Sequence, residues 1–335
     1  MAKKKIYLHI GFHKTASSTI QHCMAMNRDE LSRQGYLYPF SGIVWKVAHH
    51  NIVFQLRDDQ RYSPEVGGIS DLVQEISESE ASSVIVSSED FSFCDGAEIK
   101  EIYRILDKLG SVKIVVYIRR QDKWLQSRYA QITKSGYFRE DFAASLAEGL
   151  DAANFYQRLE PWAEVVQPQN VIVRVLEKQQ LVSGNVCIDF LDACGIQDVA
   201  NIKFPQDQNI SPSIKTLNTV RYVSDILKEN RIFGEKIGVA ANYIRKYADE
   251  HGWNEQRLML VTPELFERIM SHLEADNRKL AQKYLQCDQL FIEPFVEAPK
   301  TDFDVESINV GEIVDAMAYM MSRMIRDERK NADGS

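Results

Sequence analysis

Apolar residues recur along this chain in two rhythms. Short unbroken runs at 6–12, 83–87, 112–118 and 171–175 suit strands buried on both faces, as in parallel sheets. Between them a 3.6-residue period predicts helices over about 17–32, 46–57, 69–79, 97–109 and 122–134, with Gly35 and Gly110 as stops. Two more helices, about 140–150 and 153–166, fill the interval before the last strand run. Beyond Phe204 the strand rhythm ends, and helices are predicted near 213–228, 234–251, 263–285 and 310–327. This alternation predicts an α/β fold, a parallel sheet flanked by helices, with a C-terminal helical extension. The expected division is a core over residues 1–200 and an extension over 201–330 that packs on it, as a lid over an acceptor or as a dimer face. A homo-oligomer therefore stays open.

Composition narrows the function classes. A chain of 335 residues with 44% hydrophobic content supports a large buried core. Its net charge of −8 argues against a general nucleic-acid binder, which needs a basic face. Cys23, Cys94, Cys187, Cys194 and Cys287 are scattered without C-x-x-C spacing, so neither a disulfide framework nor a zinc site is suggested. No run approaches the roughly 18 apolar residues of a membrane span, and the first strand begins before a signal peptide could fit. A soluble cytoplasmic protein is the expectation.

The first strand breaks at Gly11 into His13, Lys14, Thr15, Ala16, Ser17, Ser18 and Thr19, and then a helix pattern begins. Where a strand feeds a tight turn and a helix, free backbone N–H groups and the positive end of the helix dipole converge on one point. Lys14 adds a full charge there, and the hydroxyls add compact donors. A phosphate or sulfate suits such a cradle. The Walker A pattern needs a second glycine and then Lys-Ser or Lys-Thr, so an ATP loop fits poorly. Alanine is costly in left-handed geometry, so the loop is expected to pass Ala16 with negative φ.

A second grip follows the third apolar run, which delivers Arg119 and Arg120 to a strand's carboxyl end. On the next helix Trp124, Leu125, Tyr129 and Ile132 share one face, while Ser127, eight residues after Arg119, lies well away from it. An arginine and a hydroxyl so spaced can hold one phosphate from two sides.

Together these elements resemble the sulfotransferase family, whose donor is 3′-phosphoadenosine 5′-phosphosulfate (PAPS). The stretch His13–Ser18 resembles its 5′-phosphosulfate loop, in the form found in galactose-type carbohydrate sulfotransferases, with Ala16 where glycine is usual. Arg119 and Ser127 match its 3′-phosphate element by type and spacing. The segments 156–162, 170–178 and 190–195 look like the connecting region of bacterial members, so the likeness covers roughly residues 6–195. The resemblance implies a P-loop-type core and transfer of a sulfuryl group to an acceptor hydroxyl, that of a glycan, without a metal. Lys14 would neutralise charge on the bridging and leaving oxygens. Ser17, Ser18, Thr19 and the loop amides would hold the 5′-phosphate, and His13 would line the loop.

A sugar hydroxyl needs a general base. The run Val84–Ser88 delivers Glu89 and Asp90 to the sheet edge that carries the loop, and related carbohydrate sulfotransferases use a glutamate in a similar Ser-Ser-Glu setting. Glu89 is the first candidate; His49 and His50, read as lying mid-helix, are the alternatives. His9, inside a strand, reads as structural. Trp45, Tyr137, Phe138 and Tyr156 could wall an acceptor site. The competing classes are a P-loop kinase using Mg-ATP and a non-catalytic nucleotide-binding scaffold.

Overall fold

A computed structural model of the chain describes residues 3–136, 142–206, 212–255, 259–297 and 310–333. Tyr137 and Phe138 lie outside the described residues, as does the expected helix start at Glu140.

Five strands form one sheet in the order β2-β3-β1-β4-β5, every pairing parallel. They are β1 (Lys4–His9), β2 (Tyr36–Leu37), β3 (Ser83–Ser87), β4 (Gly110–Ile118) and β5 (Val171–Val175). The helices are α1 (Ser17–Met26), α2 (Arg28–Arg33), α3 (His50–Leu56), α4 (Ile69–Glu78), α5 (Gly96–Asp107), α6 (Gln121–Thr133), α7 (Phe142–Ala152), α8 (Phe155–Val166) and α9 (Val186–Ala193), then α10 (Ile214–Glu229), α11 (Glu235–Glu250), α12 (Pro263–Leu280) and α13 (Val310–Asp333). The parallel sheet flanked by helices is as expected.

The chain packs as two compact units. The first takes residues 1–120, 154–207 and 272–294; the second takes 121–153, 208–271 and 295–335. The expected boundary near 200 falls close to one crossing, but the contiguous split does not hold, because α6 and α7 leave the sheet unit and the end of α12 returns to it.

In the first unit β1 is central because Ile6, Leu8 and His9 are wholly buried or nearly so, with His9 opposite Ser87 of β3 and Val115 of β4. One face of the sheet, with Tyr7, Ile85, Val115 and Tyr117, packs against Ile20, Cys23 and Met24 of α1 and Phe190 and Leu191 of α9. On the other, α5 and α8 cover β4. The carboxyl edge of β1 therefore opens between those of β3 and β4, where the strand order reverses and such sheets gather ligands. The second unit is helical, with Val220, Val223, Ala240, Ala241, Ile244 and Met320 forming a core among α10, α11 and α13.

Three local expectations change. The predicted 17–32 helix breaks at Asn27, whose side chain donates to the carbonyls of Cys23 (2.7 Å) and Lys203 (2.7 Å) and accepts from Lys203 N–H (2.8 Å). The predicted 46–57 helix starts only at His50, because Trp45 and Lys46 take left-handed φ of 50° and 72°. His49 and His50 therefore sit at a helix start rather than its middle. α9 and the two-residue edge strand β2 went unpredicted.

Candidate active site at the carboxyl edge of the sheet

The loop from β1 to α1 is tied from within. The hydroxyls of Thr15 and Ser17 both donate to the Phe12 carbonyl, which folds the loop back so that Ala16 becomes the N-cap of α1. Contrary to expectation, Ala16 is left-handed, at φ 65° and ψ 19°, and Lys14 is left-handed as well, at φ 64°. The physical reason is the double tie on Phe12, which turns the chain too sharply for negative φ at Ala16. Those two hydroxyls thus hold the loop, and the hydroxyl-bearing residues left towards solvent at the start of α1 are Ser18, which is exposed, and Thr19, which is partly so. α1 has no side-chain cap and no acidic residue in its first turn. Its first N–H groups lack intrahelical acceptors by helix geometry, and its dipole is uncompensated, as an anion site requires.

Two cations border this end. Lys14 lies in the loop, and Arg119, at the end of β4, donates from Nη1 to the Lys14 carbonyl at 3.3 Å. The two residues expected to grip phosphate groups therefore meet at one loop. Ser127 belongs to α6 in the second unit, where it is partly exposed. Its pairing with Arg119 rests on the eight-residue spacing alone.

Glu89 opens the short 3₁₀ turn Glu89–Phe93 after β3. A Cβ placed on Gly11 would lie 2.8 Å from Glu89 Cβ, and φ there is +97°, so only glycine lets the loop pass so close. Gln21, buried on α1, donates to Glu89 Oε2 at 2.6 Å and fixes the carboxylate against the loop helix.

The neighbouring histidines take different roles. His49 is wholly buried: its Nδ1 accepts from Ser87 N–H at 3.1 Å, and its Nε2 lies 3.1 Å from the Pro39 carbonyl. With both ring nitrogens engaged, and burial pushing its pKa down to about 3, His49 is a brace between β3 and the Pro39 segment, and it is withdrawn as a base. His50 faces the site. Its Nε2 is 3.7 Å from Glu89 Oε2, and its Nδ1 is 2.7 Å from Ser88 Oγ and 3.3 Å from Asp90 Oδ2.

Asp90 bridges to the loop as well, with Oδ1 3.2 Å from His13 Nε2. Burial works to raise the Asp90 carboxyl, but contacts with His13 and His50 outweigh it and hold the group well below the usual carboxylate range. A chain of titratable groups therefore runs from the loop to Glu89. His9, as expected, is structural, packed against Phe190 with Nδ1 2.7 Å from Ser87 Oγ.

Sequence reasoning missed Gln21, Asp90 in this bridging role, and Arg158 of α8. Arg158 lies over the Phe12 ring at 4.3 Å and donates to Ser92 Oγ at 3.1 Å, adding a third cation beside the loop. No local pattern announces any of them, since each reaches the site from a different element. Tyr156 is packed against Lys279 and Lys283 and hydrogen-bonds Glu160 at 3.2 Å. Among the described residues, no group of three His, Cys, Asp or Glu side chains is arranged to hold a metal ion, and no helix is long and apolar enough to cross a membrane.

No family model matches the chain. It is 29% identical over 213 residues to an uncharacterized protein of Archaeoglobus fulgidus, a match that covers 62% of this chain and 55% of that one. The chain thus spans about half the length of that curated relative. Among solved structures it is similar to a sulfotransferase from Alicyclobacillus acidocaldarius, at 12% identity and a TM-score of 0.39, covering 71% of this chain and 99% of the other. A likeness of that size leaves function to the residues themselves.

Proposed function

We propose that the protein is a sulfotransferase that moves a sulfuryl group from PAPS to an acceptor hydroxyl, that of a carbohydrate. The observation that carries the reading is the joining of Arg119 to the Lys14 carbonyl at the uncapped start of α1, with Glu89 packed against the same loop. Cations, helix amides and a fixed carboxylate on one loop suit transfer of a charged group to a neutral hydroxyl.

The amides of Ser17, Ser18 and Thr19 hold the donor's 5′-phosphate, with His13, Thr15 and Ala16 shaping the loop. Arg119 serves the 3′-phosphate, with Ser127 assigned by spacing. Glu89 takes the acceptor proton as the acceptor oxygen bonds to sulfur and the sulfur–oxygen bond to the 5′-phosphate breaks. Lys14 balances charge on the departing phosphate oxygen.

Thermal shift tests the reading. Adenosine 3′,5′-bisphosphate without magnesium is expected to raise the Tm, and ATP at equal concentration to do much less. A shift with Mg-ATP alone would favour a kinase; silence with both would favour a scaffold. Arg119→Ala is expected to abolish the bisphosphate shift. Glu89→Ala should keep the shift and lose about 10²–10⁴-fold in turnover with labelled donor; intact turnover removes Glu89 as the base.

A further inference from the structure

Asp90 bridges two imidazoles, and each of them lies against a solvent-facing aromatic ring. Trp45 is 67% exposed, its ring centroid 4.9 Å from that of His50. Phe93 is 53% exposed, its centroid 4.5 Å from that of His13. Two large apolar faces thus border the Glu89–Asp90 segment, each against one of the imidazoles that contact Asp90.

The backbone beneath Trp45 adds an independent observation. Val47 N–H donates to the Val44 carbonyl at 3.3 Å, and Val44 N–H donates to the Ala48 carbonyl at 2.9 Å, closing a tight turn with Trp45 and Lys46 at its corners. Both corners are left-handed, the requirement of type I′ turns, in which glycine and asparagine are preferred. A tryptophan there is held in an unfavourable conformation, outward, where it gains little burial. Strain of this kind persists where surrounding structure enforces it, and it clusters at ligand sites.

We propose that Trp45, with Phe93 as its counterpart, is the acceptor platform, receiving the apolar C–H face of a pyranose so that a ring hydroxyl points at Glu89. This assignment rests on the sulfuryl-transfer reading for the identity of the site. The indole supplies a flat face that ring C–H groups can cover, and the neighbouring charged groups bind the hydroxyls on the ring's edge.

Calorimetric titration with lactose, and with glycerol as a polyol that has no ring face, tests it. Wild-type protein is expected to bind lactose and ignore glycerol. Trp45→Asn should weaken lactose binding at least tenfold while raising the Tm by about 1–3 °C, since asparagine tolerates the left-handed corner. Phe93→Ala should weaken it less, about threefold. The bisphosphate thermal shift should be the same in all three proteins. The proposal is overturned if wild type does not bind lactose, if it binds glycerol equally, if Trp45→Asn binds lactose as wild type does, or if that variant melts lower. Lactose binding without any bisphosphate shift would sink the transferase reading and leave the platform standing.

Discussion

Asp189 and Asp90 are both buried carboxylates partnered by nitrogen-bearing side chains, a guanidinium behind the sheet and two imidazoles at its carboxyl edge. Asp189 accepts from Arg174 at 2.6 and 2.8 Å, from the Tyr117 hydroxyl at 2.6 Å and from Val182 N–H at 2.9 Å, and it is wholly buried. Asp90 meets His13 and His50 at 3.2 and 3.3 Å beside two exposed rings and a left-handed loop. Behind the sheet the short bonds fill the carboxylate's acceptor sites and fasten α9 to β4 and β5. At the edge longer contacts hold two imidazoles, each packed against an exposed aromatic ring. A buried carboxylate thus fastens elements where its acceptor sites are filled by short bonds, and holds two rings in place where its contacts are longer.

The largest expected effect breaks the fastener. Asp189→Ala leaves the Arg174 guanidinium, the Tyr117 hydroxyl and the Val182 amide without their acceptor, and removing one partner of a buried ion pair costs about 3–5 kcal/mol. The hydrogen bonds to Asp189 that raise the Arg174 pKa mark how strongly that charge depends on its partner. Urea denaturation should show this loss, with bisphosphate affinity kept in the folded fraction. A loss below 1 kcal/mol would put the two aspartates on an equal footing.

Acid should separate the regions next. His49 in the folded chain takes a proton only near pH 3, while the unfolded ring does so near 6.5. Between those values the unfolded chain holds more protons, so stability falls as pH drops below about 6.5, by about 2 kcal/mol at pH 5 from this residue. Asp90 behaves differently: with its pKa held low in the folded state, its contribution persists above about pH 4 and is lost only below it. Chemical denaturation at pH 7, 6 and 5 should show the decline, and His49→Gln should remove about half of it, because wholly buried His9, whose pKa burial pushes down to about 4, adds a similar loss over the same range. A pH-independent stability over that range would contradict the buried, neutral assignment.

How much of this was legible in the sequence follows from how local each signal is. The runs that became β1, β3 and β4 were readable because both faces of those strands are buried over most of their length, and β5 because its three valines and Ile172 make an apolar run even though Ile172 and Arg174 are half-buried. β2 escaped because two half-buried edge residues, Tyr36 and Leu37, make no run. α9 escaped although Asn185, which caps it by accepting from Cys187 and Ile188 N–H, was a usable start signal. Lys14, Glu89 and Arg119 were legible as candidates because each follows the end of its own strand. Gln21 and Arg158 were not, because their roles depend on which helices pack beside the loop. The adjacent histidines look identical in sequence, and only the fold distinguishes the brace from the residue facing Glu89. The interleaving of the two units left no trace in composition, because α6 and α7 read like any other helices.

Ala16 gives the smallest and sharpest test of the edge. Its left-handed backbone costs an L-residue about 1–2 kcal/mol, against about 0.5–1 kcal/mol of extra chain entropy that a glycine would lose on folding. Ala16→Gly should therefore stabilise the protein by up to about 1 kcal/mol, seen as a small rise in Tm. The ties from Thr15 and Ser17 to Phe12 remain in this variant, so the loop keeps its path and bisphosphate affinity should hold. Were the loop instead to pass Ala16 with negative φ, glycine would lower the Tm through its added freedom in the unfolded chain. The sign of one melting shift thus decides whether the loop carries strain at the point where its helix begins.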